Sequence, residues 1–355
     1  MDKEPSLQSP AHDWHTISMA SAGMDEEKLA KALQCLRDGT YPNVHSLLIL
    51  KEGKIACEAY LSGHAWNYDR QRYRGEFIDF SVDSLHNLAS VTKSVTSILI
   101  GIAIDRGFIP GVDEKIMRYF PEYVPPEPLV DTINLHHLLT MTSGLKWNEE
   151  ELPYSDQKND LIRLFRVKNP LRFILSKPLV DAPGARFSYN SGGTNILGEI
   201  LRRATGMRMD DFAKITLFEP LDIRQARWEF LNPELVFASG NLHLRARDLA
   251  KLGQLFLNGG MWNGQRVVSQ AWIEASTRRH SSPSEEIGYG YHWWIEEYRL
   301  GSLQVEAYSA VGWGGQRLIV IPGLDLVVVL TGGNYVDEDR IDEFLTRCIL
   351  PAMDL

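Results

Sequence analysis

The stretch Leu88-Ala89-Ser90-Val91-Thr92-Lys93-Ser94-Val95-Thr96-Ser97-Ile98-Leu99-Ile100-Gly101-Ile102-Ala103-Ile104-Asp105-Arg106-Gly107 constrains the fold more than any other. From Val91 to Ile104, apolar and small residues fall on every face. That is the pattern of a helix enclosed by protein, not of one lying on a surface. Gly107, just after Asp105-Arg106, suits the left-handed residue that ends a helix. Ser90 is therefore expected at the first turn of a helix running into a core. If 90–106 is helical, Ser90 and Lys93 are three apart and share a face. The free N–H groups and positive dipole end of such a turn favour a developing oxyanion. Burial strips an amine of its hydration and pushes its pKa down, so that it can accept a proton from serine. This is the chemistry of the Ser-x-x-Lys nucleophile. The alternative is a helix-capping serine with Lys93 turned to solvent. Ser143-Gly144-Leu145-Lys146 and Ser155-Asp156-Gln157-Lys158 fit the same letters, but both lie in polar, turn-rich sequence.

The chain has 355 residues, 44% of them hydrophobic, and a formal net charge of −9. That is enough for one large domain or two intimate ones. The charge is moderately acidic and no Lys/Arg-rich block occurs, so neither nucleic acid nor an anionic membrane is an expected partner. The longest apolar run, Ile98 to Ile104, is far too short to span a bilayer. Met1-Asp2-Lys3-Glu4-Pro5-Ser6 has no apolar segment after its charges and does not read as a secretory signal. Cys35, Cys57 and Cys348 are odd in number and far apart, which suggests free thiols in a reducing compartment. The expected location is the cytoplasm, the alternative being an exported protein whose leader has been removed. No metal-ligand spacing occurs, and His136-His137 reads as structural.

Residues 1–22 read as a polar arm. Asp25 to Asp38 reads as a helix with acidic residues in its first turn and Gly39 after its end. Val44 to Leu50 and Ile55 to Leu61 are strand-like, with Lys51-Glu52-Gly53-Lys54 as a hairpin turn. Residues 62–83, rich in Tyr and Arg, read as a loop. Prolines break up 108–131, and a short helix follows over Asn134 to Met141. The long mixed segment 147–186 has the character of a lid or binding loop. Helices are expected over Ser191 to Ala204, Met209 to Leu217, 246–257 and Glu343 to Leu350. Strands are expected over Gln304 to Ser309, Gln316 to Ile321 and Leu324 to Leu330. Hairpin-spaced strands at both ends favour an antiparallel sheet. The expected fold is α/β (α+β): an antiparallel sheet flanked by N- and C-terminal helices, with an inserted all-helical subdomain. Its units are 23–83 plus 236–355 for the sheet and 84–235 for the helices, with the site in the cleft between them.

Two further stretches suggest chemistry. Pro183-Gly184-Ala185-Arg186-Phe187-Ser188-Tyr189-Asn190-Ser191-Gly192-Gly193 brings Tyr189 to the start of a helix. Ala310-Val311-Gly312-Trp313-Gly314-Gly315-Gln316-Arg317 is a glycine-rich run leading into a strand, where a ligand can approach backbone closely. In this order, the three stretches resemble the serine β-lactamase and penicillin-binding-protein superfamily. The likeness is greatest to its class C branch and to the related esterases and 6-aminohexanoate-dimer hydrolases. It spans roughly residues 20–350 and includes Leu138-Leu139-Thr140-Met141-Thr142-Ser143-Gly144-Leu145, Asp248-Leu249-Ala250-Lys251-Leu252-Gly253, Asn258-Gly259-Gly260 and Gly288-Tyr289-Gly290-Tyr291.

The resemblance implies a sheet domain plus a helical subdomain, with Ser90 as nucleophile, Lys93 as its partner and Tyr189 as the tyrosine of the second motif. Ser191 stands where class C enzymes carry an asparagine, and Trp313-Gly314-Gly315 stands in place of Lys-Thr-Gly. Ser191, Trp313, Gly314 and Gly315 would contact substrate, and the N–H groups of Ser90 and Gln316 would form the oxyanion hole. Trp313 cannot pair with a substrate carboxylate as the family's lysine does, since an indole offers one neutral donor and a flat apolar face. The expected activity is hydrolysis of a small ester, or an amide, through an acyl-enzyme on Ser90. In the expected mechanism Lys93 and Tyr189 act together as the base, the lysine's charge lowering the tyrosine pKa against burial. No metal or organic cofactor is needed. The alternatives are an amide or cyclic-oligomer hydrolase, a weak β-lactamase or D-Ala-D-Ala peptidase, and a non-catalytic binding member of the same fold.

Overall fold

A computed structural model describes residues 14–68 and 70–353. Most of the expected polar arm, residues 1–13, lies outside the described residues. From residue 14 the chain is draped over the body, with Trp14 buried against Trp262 and its indole N–H donating to Arg247 O at 3.3 Å.

Helix α1 (Glu26–Arg37) starts at Asp25, whose carboxylate accepts from the N–H groups of Glu27 and Lys28. Strands β1 (Val44–Lys51) and β2 (Lys54–Tyr60) form the first hairpin. Next comes a ribbon of β3 (Ser62–Trp66) and β4 (Arg74–Asp79), outside the main sheet. The loop expected over 62–83 is therefore partly strand. The ribbon's residues are mostly half-buried or exposed, so it lacks the apolar alternation that marks a strand in sequence. Helix α2 (Thr92–Asp105) follows a 3-10 turn over Ala89–Val91. Short helices cover Leu135–Leu139, Asp160–Leu164 and Pro170–Leu175, and α3 spans Ser191–Thr205. The helix expected over Met209 to Leu217 is α-helical only to Ala213 and continues as a π-helix over Lys214–Phe218. Helix α4 (Ala246–Leu257) then leads to β5 (Gly288–Tyr289), β6 (Trp294–Leu300), β7 (Leu303–Gly312), β8 (Gln316–Ile321) and β9 (Leu326–Gly332). Helix α5 (Ile341–Phe344) and the turns after it complete the described chain.

The main sheet runs β5-β6-β7-β8-β9-β1-β2, every pair antiparallel. Both faces of its centre are covered, so the central strands are apolar at nearly every position. Leu47, Ile49, Ile319, Ile321, Val328 and Leu330 point to one face, under α1 and the C-terminal helical turns. Leu48, Leu50, Leu318, Val320, Val327 and Val329 point to the other, against α2 and α4. Gly253 lets α4 lie close to the sheet, for a Cβ there would stand 2.6 Å from Val327 Cγ1.

Helix α2 is buried along almost its whole length. Its polar side chains bond to backbone of neighbouring segments: Thr96 Oγ1 donates to Ala238 O and Ser94 Oγ to His292 O, both at 2.6 Å. Gly101 gives room for the Trp272 ring, 2.4 Å from where a Cβ would stand. Among the described residues no helix is long and apolar enough to cross a membrane.

Candidate active site

The turn that opens α2 is strained. Ala89 has φ of 45°, in the left-handed region that a residue with a Cβ rarely adopts. Two bonds hold it: Asn87 Oδ1 accepts from Ala89 N at 2.8 Å, and Leu88 N donates to Leu242 O at 2.9 Å. The next residue, Ser90, is half-buried, and its side chain faces a cavity. Lys93 is 2% exposed. Its Nζ lies 2.8 Å from Ser90 Oγ and donates to Ser239 O at 2.8 Å. Burial pushes the Lys93 amine down to about 8, while the charge of Glu149 opposes that fall. At neutral pH a usable fraction of this lysine is therefore a free amine.

Tyr189 ends the extended piece before α3. Asn190 caps that helix, its Oδ1 accepting from Gly193 N at 3.0 Å. Lys93 Nζ sits 4.8 Å from the centre of the Tyr189 ring, and the tyrosine hydroxyl bonds with Ser90. Trp294 stacks with the ring, the two centroids 6.2 Å apart. Burial raises the Tyr189 pKa far above its usual value, and the Glu149 charge raises it further. The bond to Ser90 works in the opposite direction, but does not win. Burial, expected to oppose the lysine's charge at this tyrosine, is the larger effect.

The glycine-rich run meets the same place from the sheet side. Gly312, at the end of β7, lies so close to the nucleophile turn that a Cβ would stand 2.4 Å from Leu88 O. Gly314 and Gly315 have φ of 88° and 90°. At Gly314 the missing Cβ leaves space for the Tyr335 ring, 2.3 Å away from it. The Gln316 side chain is locked to β9: its Nε2 donates to Gly332 O at 2.7 Å, and its Oε1 accepts from Gly332 N at 3.1 Å. Backbone at 312–316 is thus fixed beside Ser90.

The cavity at Ser90 has a volume of about 520 Å³. Trp66, Tyr154, Trp313 and Tyr335 form much of its wall, with Phe165 and Phe237 beyond them. Trp313 is packed among other rings, with centroids 4.8 Å from Tyr154, 4.9 Å from Tyr73 and 5.3 Å from Tyr335. Ser191 is fully buried, and its Oγ donates to Glu149 Oε1 at 2.7 Å. Sequence reasoning passed over Glu149, the Ser239 carbonyl and the rings of Trp66, Tyr154 and Tyr335. A carbonyl has no sequence signal, and Glu149 looked like one of three consecutive acids. His136 and His137 have ordinary roles. His136 Nδ1 lies 3.1 Å from the Tyr291 hydroxyl, and His137 completes a capping box with Asn134.

A family model described as Beta-lactamase matches residues 45–347. The 6-aminohexanoate-dimer hydrolase of Paenarthrobacter ureafaciens is 28% identical over 302 residues, covering 80% of this chain and 71% of that protein. The esterase EstB of Burkholderia gladioli is 34% identical over 165 residues, 43% of this chain and 40% of that one. A solved structure from Bacillus anthracis, provisionally named a 6-aminohexanoate-dimer hydrolase, superposes with a TM-score of 0.73 at 20% identity, covering 94% of this chain and 85% of that one.

Proposed function

The chain belongs to the beta-lactamase family, and from that premise we propose that it is a serine hydrolase cleaving small esters through an acyl-enzyme on Ser90. The observation that carries the reading is the contact of Ser90 Oγ with a buried lysine at 2.8 Å, inside an aromatic cavity. Ser90 Oγ attacks the ester carbonyl, and its proton passes to Lys93 Nζ. The N–H groups of Ser90 and Gln316 stabilise the oxyanion, each such donor contributing roughly 3–4 kcal/mol. Lys93 then returns the proton to the departing alkoxide through the neutral Tyr189 hydroxyl. Water then gives a proton to the same amine and attacks the acyl carbonyl, and the amine passes that proton to Ser90 Oγ as the acyl–oxygen bond breaks. No step calls for a metal or organic cofactor.

Trp313 forms part of the wall that receives the acyl group, with Tyr154 and Phe165 from the segment 147–186, whereas Gly314 and Gly315, expected to contact substrate, do not line the cavity. Ser191 acts through Glu149, not on substrate, because its hydroxyl is turned to that carboxylate. A second reading, hydrolysis of a linear amide, draws on the relative named as a 6-aminohexanoate-dimer hydrolase. A β-lactamase or peptidase reading is weaker, since Trp313 stands where the family's lysine would bind a carboxylate. The unpaired thiols of Cys35, Cys57 and Cys348 suit a reducing compartment, which we take to be the cytoplasm.

Intact mass after incubation with an activated phosphonate, followed by peptide mapping, tests the reading. One adduct on Ser90 is expected; folded protein that takes up none would sink it. The pH dependence follows from Lys93, which must be neutral to accept the proton. Its pKa is about 8, so kcat/KM for a neutral ester should rise with pH and level off above that value. A profile flat from pH 6 to 9 would remove Lys93 from the base role. Trp313→Lys should raise kcat/KM for carboxylate-bearing esters, relative to neutral ones, by about tenfold, an ion pair's worth in a partly enclosed site. An unchanged ratio would show that position 313 does not face that part of the substrate.

A further inference from the structure

Glu149 is 2% exposed. Its carboxylate accepts four hydrogen bonds. Oε2 takes Trp147 Nε1 at 2.7 Å and Ser191 N at 3.0 Å. Oε1 takes Ser191 Oγ at 2.7 Å and the Tyr154 hydroxyl at 3.3 Å. None of these donors is a cation, and a buried carboxylate with no cation in contact is costly to maintain. The surrounding loop is built to hold it: Asn159 Nδ2 donates to Glu149 O at 2.9 Å and to Leu152 O at 2.8 Å. Trp147, Asn159 and the first turn of α3 thus hold a buried carboxylate against the turn that carries Tyr189.

We propose that Glu149 is a positioning residue that fixes which of the two carries the proton. Burial keeps the Tyr189 hydroxyl neutral, the Glu149 charge adds to that, and the same charge helps to hold the transferred proton on Lys93 Nζ. Its bonds to Ser191 and Tyr154 tie the Tyr189 turn to the cavity wall. The proposal rests on the hydrolase reading above. The groups around it agree. Glu150 and Tyr154 share its loop, Tyr189 precedes α3, Tyr289 comes from β5 and Lys93 from α2. Lys93 in turn faces His292, which burial pushes down to about 3, so no second buried cation competes there. Without the carboxylate, Lys93 would lose the charge that holds its proton, and tyrosinate would be less disfavoured.

Glu149→Gln is a close test. The amide oxygen can take the two N–H groups now at Oε2. The amide nitrogen then meets two hydroxyls, Ser191 and Tyr154, which can rotate to accept. In this variant the acid limb of kcat/KM for a neutral ester should move to lower pH by about half a unit or more. Glu149→Asp keeps the charge and should keep the wild-type limb, even if its rate falls. A loss of packing alone would lower the rate without moving the limb, so an unmoved limb in folded Glu149→Gln overturns the proposal. If that variant does not fold, Tyr189→Phe decides. Its residual reaction with an activated phosphonate should keep the acid limb of the wild type, and loss of the limb would make tyrosinate the base. A wild-type protein with no turnover and no Ser90 adduct is a different failure, that of the hydrolase reading itself.

Discussion

Ser90→Ala is expected to lower kcat/KM for a short-chain nitrophenyl ester by about four orders of magnitude or more. The reason lies in how the site is assembled. Among the described residues Lys93 Nζ has two hydrogen-bond partners, Ser90 Oγ and Ser239 O, so removing the hydroxyl leaves the base with nothing to deprotonate at the attacking position. What remains is the cavity and the N–H groups, which can still orient a carbonyl for attack by water. The measurement is single-turnover and steady-state hydrolysis, with the phosphonate adduct as control. Activity within tenfold of wild type would remove Ser90 from the mechanism.

Asp248→Asn should carry the largest stability loss among substitutions away from the cavity. Asp248 is fully buried at the start of α4. Arg245 bonds to it twice, Nε to Oδ2 at 2.7 Å and Nη2 to Oδ1 at 2.9 Å, and Lys251 Nζ lies 3.3 Å from Oδ1. Both cations bond to this carboxylate, with Asp83 3.7 Å from Arg245 and the Asp222 carbonyl 2.8 Å from Lys251 as further partners, and Lys251 is itself only 2% exposed. Neutralising the shared partner of two enclosed cations costs about 3–5 kcal/mol. Thermal unfolding should shift down by roughly 5 °C or more. A midpoint within about 2 °C of wild type would mean that water reaches the cluster.

The same cluster shows what the sequence made legible. Asp248-Leu249-Ala250-Lys251-Leu252-Gly253 marks a helix by its spacing, and 246–257 is helical over just that span. Gly253 turns out to be where the helix meets the sheet. Helix α2 was legible because a segment apolar on every face has one place to go. The contact of Ser90 with Lys93 follows from their separation by three. Strand β8 matches its expected bounds because its alternate residues serve two covered faces. The ribbon β3–β4 and the strand β6 were not legible. Their half-exposed residues, such as Glu296 and Glu297 beside Ile295 and Tyr298, blur the alternation. Glu149 was hidden for another reason. Its meaning depends on Ser191, 42 residues away, and on a loop path that no local pattern encodes. The balance at Tyr189 between a nearby charge and burial was not legible, because sequence shows which charges are near but not how much water has been removed.

The pairing of β1 with β9 has a consequence for how the protein is made. Val44–Lys51 carries the apolar run Leu47 to Leu50, and its neighbour on one side is Leu326–Gly332. While the chain is being synthesised, the hairpin of β1 and β2 can form early, but its inner edge has nothing to pair with. At about 5–20 residues per second, on the order of tens of seconds pass before β9 leaves the ribosome. An open strand edge of eight residues, seven of them buried in the finished fold, is a template for other nascent chains. The helices between can meanwhile pack on one another, as α2 does on α3. Protection of that edge until β9 is made is therefore one demand that synthesis of this fold imposes. Slower translation lengthens its exposure, and chaperones that shield extended apolar segments shorten the risk.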